Sequence, residues 1–253
     1  MLESSINSQL SQFQSITLEE MDRVTLMNRI DTKFAFSKNT LNQILTLLTE
    51  DYFVLEINGK RGMEYESLYF DDAEYSLFSD HHRGKNNRVK VRIRNYVDSN
   101  LFFFEIKHKV KGRTDKHRIS IPSFHAEITN RGQALLQNVF PTTKELHANI
   151  TNRFTRITLV NKTAAERLTL DFDLRFTLKE QNHSFDSLVI AELKQERIDR
   201  NSPFYTMMKS RQLRPYRLSK YCLGIMELVQ EPKVKANRFK KRQLYLEKIN
   251  DYV

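Results

Sequence analysis

The sequence has one cysteine, Cys222, in 253 residues, and no tryptophan. A single cysteine excludes an intrachain disulfide and a cysteine-based zinc site, and it suits a reducing compartment. Six glycines and five prolines are too few for a collagen-like or linker-rich architecture. No apolar run approaches the roughly 18 residues needed to cross a bilayer as a helix. The opening MLESSINSQLSQF has neither the basic start nor the apolar stretch of a secretory signal. No internal repeat is visible. These absences lead to the expectation of a cytoplasmic protein with no transmembrane segment.

Positive charge, by contrast, is abundant and unevenly placed. The net charge is +10, and hydrophobic residues make up 40% of a chain long enough to bury a full core. Between Arg88 and Arg118 there are ten Lys/Arg against three Asp/Glu, or +7; between Lys233 and Lys248 there are seven against one, or +6. The remainder is therefore slightly acidic. Basicity confined to two stretches points to specific anion-facing regions rather than to a generally cationic surface.

The 88–118 stretch alternates with a period of two. Val89, Val91 and Ile93 fall on one side, and Arg88, Lys90, Arg92 and Arg94 on the other. Phe102, Phe104 and Ile106 then oppose Glu105, Lys107 and Lys109, and Lys116 and Arg118 oppose His117 and Ile119. This is strand periodicity with an apolar face and a cationic face. Like charges on neighbouring strands repel, so a polyanion is expected against that face. Lys111-Gly112-Arg113 reads as the turn between the last two strands.

Elsewhere the spacing predicts helical pieces within residues 1–27, a strand over Arg29–Phe36, and a helix N-capped by Ser37 that carries Leu41, Ile44, Leu45 and Leu48. Strands follow at Tyr52–Ile57 and Tyr65–Phe70, then a turn with a short helix over Asp71–Gly84. Helices are expected at Phe124–Val139 and Thr143–Ile150. Strands are expected at Arg153–Val160, Arg167–Phe176 and Leu188–Gln195, and helices at Pro203–Leu213 and Ser219–Val229. There is no regular βαβ alternation, so the fold class is α+β: a mainly antiparallel sheet closed into a β-barrel with flanking helices. The domain reading is an N-terminal helical segment at 1–24, a catalytic domain at 25–230 and a basic tail at 231–253.

A charged face on a single strand is usually just solvated. Here at least five strands offer mostly Lys or Arg, with few carboxylates: Lys33, the 88–94 quartet, Lys107, Arg118, Arg153, Arg167, and the pair Glu192 and Lys194. Lysine and arginine bind phosphate by charge and by bidentate hydrogen bonds. A lone carboxylate among them either neutralises them or holds a divalent metal, and Mg2+ in phosphate sites uses one or two carboxylates plus substrate oxygens.

Taken in order, the residues resemble a known family. Arg29-x-x-x-Lys33, Arg92-Ile93-Arg94, Glu105-x-Lys107, basic Arg118, Asn152-Arg153, RLTLD at 167–171, Glu192-x-Lys194 and Ser219-Lys220-Tyr221 are similar to the catalytic domain of the vacuolar transporter chaperone (VTC) polyphosphate polymerases. These are triphosphate tunnel metalloenzymes related to the CYTH phosphatases. The resemblance runs from about residue 25 to 227. It implies a tunnel lined by cations that takes ATP or another triphosphate and extends inorganic polyphosphate. It further implies Lys33, Arg92, Arg94, Lys107, Arg118, Arg153 and Arg167 as phosphate ligands, joined by Arg88, Lys116 and Lys194. Glu192 is expected to hold Mn2+ or Mg2+, and Lys220 to sit on a C-terminal helix near the transferred phosphate, acting with Arg92 and Arg94. The wider superfamily opens with ExExK. Here Asn28-Arg29-Ile30-Asp31-Thr32 precedes Lys33, which agrees with the polymerase branch and argues against a two-metal hydrolase. The eukaryotic relatives carry membrane and phosphate-sensing domains that have no counterpart in this sequence, so the chain is expected to work alone or with a separately encoded membrane partner.

No Ser–His–Asp set is visible, and none is required, because a terminal phosphate is already a largely ionised nucleophile. His81-His82 reads as a solvated turn, and His108 and His117 as structural. Asp171 and Asp173 are expected to share a strand face and support Glu192 or pair with Arg167. The competing readings are a tunnel-fold triphosphatase and a non-catalytic polyphosphate or RNA binder. No specific nucleic acid is expected, since Phe102 and Phe104 lie opposite the basic face, whereas single-strand RNA binders interleave aromatics with cations.

Overall fold

The computed structural model describes residues 2–23, 29–111, 113–141, 144–230, 234 and 240–251. The expected domain boundaries at 24/25 and 230/231, Gly112 of the β-turn and much of the basic tail lie outside the described residues. In chain order the elements are α1 (Leu2–Leu10), β1 (Ser15–Ile16), α2 (Leu18–Arg23), β2 (Ile30–Ser37), α3 (Lys38–Leu48), β3 (Tyr52–Leu55), β4 (Gly62–Asp71), α4 (Ser76–Arg83), β5 (Asn87–Tyr96), β6 (Leu101–Val110) and β7 (Arg113–Ile121). Then come α5 (Asn130–Val139), β8 (His147–Asn161), β9 (Glu166–Leu178), β10 (Gln181–Phe185), β11 (Leu188–Gln195), α6 (Pro203–Ser210), α7 (Lys220–Leu228) and α8 (Lys240–Asp251).

One sheet organises the chain, in the order β2-β11-β9-β8-β4-β5-β6-β7, with antiparallel neighbours throughout. The edge strands β2 and β7 do not pair with each other. The expected closed barrel is therefore corrected to an open half-barrel: the sheet curls until its two ends face one another, but no backbone ladder joins them. The curl shows in the side chains. Lys107 on β6 lies in the field of Glu192 on β11, although four strands separate them along the sheet.

The two faces are buried differently. On the convex side, alternate apolar positions such as Phe34, Phe36, Leu168, Leu170, Val189 and Leu193 pack under α3 and α6. Val89, Val91, Ile93, Phe104 and Ile106 form a second convex core with Leu136 of α5. On the concave side, α7 packs Tyr221, Leu223 and Ile225 against Ile150, Phe154, Leu174, Phe176, Leu188 and Ile190. At its centre Gly224 leaves no room for a side chain: a Cβ there would meet Phe176 Cδ1 at 2.4 Å and Ile150 Cδ1 at 2.6 Å. Helix α7 thus plugs part of the curl and carries its own N-terminus to the middle of the concave surface.

Several local expectations hold. Ser37 caps α3 by accepting from the Thr40 amide, and Leu41, Ile44, Leu45 and Leu48 are its buried stripe. Others do not. The helix after Pro122 starts only at Asn130, because the Thr129 side chain caps the first turn there. Of the segment expected as a helix over Thr143–Ile150, Thr143 lies outside the described residues and the stretch from His147 instead opens β8, where His147 and Ala148 pair with Asp71 and Phe70; ladder pairing outweighs a weak local helix preference. Strands β1 and β10 were not expected. Each is short and is held by one neighbour, β3 and β9 respectively.

Candidate active site

Because strand side chains alternate, the concave face inherits every second residue. From β5 come Arg88, Lys90, Arg92 and Arg94, and from β6 Glu105, Lys107 and Lys109. The register sets Arg92 opposite Glu105, Lys90 opposite Lys107, and Arg88 opposite Lys109. Strand β7 adds Arg118 opposite Glu105 and Lys116 opposite Lys107. Across the curl, β2 and β11 set Lys33 opposite Glu192 and Asp31 opposite Lys194. Strands β8 and β9 set Arg156 opposite Asp171. Ser219 caps α7 by accepting from the Cys222 amide, which starts the helix at Lys220.

Three carboxylates organise these cations, each clasped by two. Glu105 accepts from Arg92 Nε and Nη2 at 2.9 and 2.6 Å and pairs with Lys116 Nζ at 2.5 Å. Asp171 accepts from Arg156 Nε and Nη2 at 2.6 and 2.7 Å and from Lys220 Nζ. Glu192 takes Lys194 Nζ at 2.6 Å and Lys33 Nζ at 3.5 Å. Burial alone would raise these carboxyl pKa values. The guanidinium of Arg92 beside Glu105, the guanidinium of Arg156 and the ammonium of Lys220 beside Asp171, and the ammoniums of Lys194, Lys33 and Lys107 around Glu192 hold all three well below the carboxylate range. All three are therefore ionised at neutral pH.

Among the described residues no carboxylate lies at ion-pair distance from Lys90, Arg94 or Lys107 in the middle of the surface, nor from Arg88, Lys109 or Arg118 at its edges. Lys90 donates to Ser219 Oγ at 2.9 Å. Arg94 lies 5.2 Å from the Tyr65 ring centroid and 5.6 Å from that of Phe154, and its buried Nε has no hydrogen-bond partner. Arg92 and burial both press the Lys107 pKa well down, and burial brings Arg94 to about 10 and Lys220 to about 8. Uncompensated buried cations are costly, and a bound polyanion would offset that cost. Tyr69 sits among them, buried and opposite Arg92. Burial raises its pKa, but Arg92, Lys90, Arg94 and Lys220 more than reverse this and bring it to about 8.

The structure thus brings Lys33, Lys90, Arg92, Arg94, Lys107, Lys116, Arg156, Lys194, Lys220 and Glu192 onto one concave surface. Arg118 reaches its rim and stacks 4.8 Å from the Phe103 centroid. Arg88 lies at one end of the same row and donates to the Lys85 carbonyl at 2.5 Å. Arg167 lies at the end of β9 opposite Lys194, with Nη2 donating to the Met21 carbonyl at 3.3 Å.

Arg153 is a correction. It points to the convex side and pairs with Glu64 at 2.5 Å, both exposed. The inward arginine of β8 is Arg156, which sequence reasoning missed. The signal was present: Ile157 and Leu159 are apolar, so period two puts Arg156 and Thr158 on the opposite face. The expectation that Asp171 and Asp173 share a face also fails. A bulge shifts the β8–β9 register between Arg153 and Thr155, and Asp173 takes a φ of 53° and turns outward to bond Lys38. His81 lies in α4 rather than in a solvated turn; it is half-buried with Nε2 3.2 Å from the Val89 carbonyl, and burial pushes its pKa far down.

Residues 28–229 match the VTC domain family. The chain belongs to this family. No curated protein matches it. Among solved structures, the VTC domain is similar to a provisionally assigned adenylate cyclase from Bacillus halodurans, with a TM-score of 0.50 and 13% identity over 80% of this chain and 98% of that one. It is likewise similar to a provisionally assigned adenylyl cyclase from Hippeastrum, described as having a dominant triphosphatase activity, with a TM-score of 0.51 and 15% identity over 81% and 98% of the two chains. At these identities the likeness shows the fold: a triphosphate-tunnel sheet with flanking helices.

Among the described residues of the VTC domain, no group of three His, Cys, Asp or Glu side chains is arranged to hold a metal ion. Glu192 nevertheless fits a position with one protein ligand. It is ionised, faces the cations, and leaves the remaining ligands of a hard divalent ion to phosphate oxygens and water. A separate cleft of about 970 Å3, lined by Asn7, Lys60, Arg61, Asp98 and Asp173, lies away from the concave surface. Its charges are already matched, Lys60 with Asp98 and Arg61 with Glu56. Among the described residues no helix is long and apolar enough to cross a membrane.

Proposed function

We propose that this VTC domain is a polyphosphate polymerase that moves the γ-phosphate of ATP onto the end of an inorganic polyphosphate chain and releases ADP. The observation that carries the reading is the length of the cation row. On β5 alone Arg88, Lys90, Arg92 and Arg94 span roughly 20 Å at strand rise, several phosphates beyond a single triphosphate. A donor triphosphate and the end of an acceptor chain can therefore lie in line on one surface.

A terminal oxygen of the acceptor chain attacks the γ-phosphorus. A new P–O–P bond forms, the bond from the γ-phosphorus to the β–γ bridging oxygen breaks, and ADP leaves with that electron pair. Lys90, Arg94 and Lys107, which have no carboxylate partner among the described residues, stabilise the charge shared by two polyanions that would otherwise repel. Lys220, fixed by Asp171, donates to the transferred group, and Lys33 and Lys194 hold Glu192 in its ionised form. Mn2+ or Mg2+ held by Glu192 and substrate oxygens would supply further neutralisation of the γ-phosphate. Hydrolysis by the same cations is the competing outcome, since it needs only water in place of the acceptor chain.

The test is to incubate the purified protein with ATP and Mn2+, resolve the products on a gel stained for polyphosphate, and measure ADP and free phosphate. Long polyphosphate with matching ADP supports the polymerase. ADP with only free phosphate replaces it with the triphosphatase, and neither product overturns catalysis by this chain alone.

A further inference from the structure

One end of the cation row is lined by a different kind of surface. On β4, β5 and β6 the concave positions nearest that end are Tyr65, Tyr96, Leu101 and Phe103. Tyr65 pairs with Tyr96, Tyr96 with Leu101, and Phe103 with Arg94. Leu101 is 50% exposed, and Tyr65, Tyr96 and Phe103 are half-buried. The rings run as a connected arc, Phe103 to Tyr96 at 5.7 Å edge-on and Tyr96 to Tyr65 at 5.1 Å. Arg118 on the edge strand β7 lays its guanidinium over Phe103. The opposite end of the same strands presents Arg88 and Lys109 instead. The concave surface therefore has one end rich in cations and one aromatic end.

An inorganic polyanion gains nothing from half-exposed apolar rings. A ligand with a flat aromatic head and a phosphate tail matches both the rim and the row, because bases stack on aromatic and guanidinium planes. We propose that the Tyr96–Leu101–Phe103 rim, with Arg118 beside it, is the nucleoside subsite for a nucleoside triphosphate whose phosphates run inward along Arg94 and Arg92. This rests on the reading of the concave surface as a triphosphate site. It adds which end the donor occupies and what holds its base. The side chains on this rim that could touch base edges are the hydroxyls of Tyr65, Tyr96 and Ser120, each able to donate or accept a hydrogen bond. Ser120 is the hydroxyl opposite Phe103, and Asn95 lies on the convex side, where it bonds Glu66 at 3.4 Å. A hydroxyl that can donate or accept suits either purine edge, so stacking dominates and adenine and guanine bind alike.

The test is calorimetric titration with β,γ-imido-ATP, β,γ-imido-GTP and tripolyphosphate, with chelator present to stop turnover. Phe103→Ala and the milder pair Phe103→Leu and Tyr96→Leu remove flat rings while the leucines keep apolar bulk. The expected result is a loss of about ten-fold in affinity for both nucleotides, with tripolyphosphate unchanged and adenine equal to guanine. Equal weakening of all three ligands, or of none, overturns the subsite, as does strong preference for one base. Wild-type protein that binds tripolyphosphate but no nucleotide overturns the rim and leaves the triphosphate surface standing. Binding of neither overturns both.

Discussion

Arg156 on β8 grips Asp171 on β9 with two parallel hydrogen bonds, 2.6 and 2.7 Å, and Asp171 in turn receives Lys220 from α7. This pair joins the sheet to the helix that plugs it. It fixes the ammonium of Lys220 at the centre of the concave surface, and it keeps a buried carboxylate ionised where an unpaired one would take up a proton.

Arg156→Ala leaves Asp171 with one cation and opens the clasp. Removing one partner of a buried pair is expected to cost about 3 kcal/mol of stability, read as a shift in the denaturant midpoint, together with loss of turnover. Arg153→Ala, which removes an exposed pair with Glu64 on the convex side, is expected to cost less than about 1 kcal/mol and to leave tripolyphosphate affinity unchanged. Equal effects of the two substitutions would contradict the assignment of their faces.

Glu192→Gln keeps the shape of the side chain and removes its charge. Lys33 and Lys194 would then lose their carboxylate and become available to phosphate. Tripolyphosphate affinity is expected to hold or rise while metal-dependent turnover falls on the order of a hundred-fold. Unchanged turnover would remove Glu192 from the metal position.

Lys220 sets an alkaline limb. Burial brings its pKa from 10.5 to about 8, so above pH 8 the ammonium that the proposed mechanism sets against the transferred phosphate is lost and kcat is expected to fall. The same shift acts on stability with the opposite sign. Between about 8 and 10.5 the unfolded chain holds the proton and the folded one does not, so this group's contribution to stability rises with pH. Lys220→Arg, which stays charged, is expected to move the activity limb upward. Tyr69, whose pKa the surrounding cations bring to about 8, adds a negative charge over the same range, and Tyr69→Phe separates its share.

Gly224→Ala drives a methyl group into Phe176 and Ile150, both fully buried. Overpacking of this kind costs about 1–3 kcal/mol, against a gain of at most about 1 kcal/mol in helix propensity. Net destabilisation in thermal melting is expected, with a loss of turnover larger than the stability change alone explains, because displacing α7 moves Lys220 away from Asp171.

Much of the candidate site was legible in the sequence. Period two on Arg88–Arg94 and Glu105–Lys109 needs no tertiary information, because a strand with one apolar face must turn its charges the other way. The VTC domain motifs likewise placed Lys33, Glu192 and Lys220 on elements that do bring them together. Arg156 was legible too, by counting from Ile157 and Leu159, but motif order drew attention to Arg153 instead.

Other features belong to the tertiary structure. Whether β2 and β7 close a barrel depends on the summed twist and stagger of every strand between them, which no local pattern encodes, and here the edges remain unpaired. The outward turn of Asp173 follows from one extra residue in a bulge, visible only in the β8–β9 register. Which cations are clasped by carboxylates and which are left for a ligand is decided by the curl that carries β6 across to β11. By itself the sequence determined that a cationic face exists, because alternation is local. Only the folded sheet decided that Lys90, Arg94 and Lys107 have no carboxylate partner among the described residues, because ion pairing depends on distances between residues far apart in the chain.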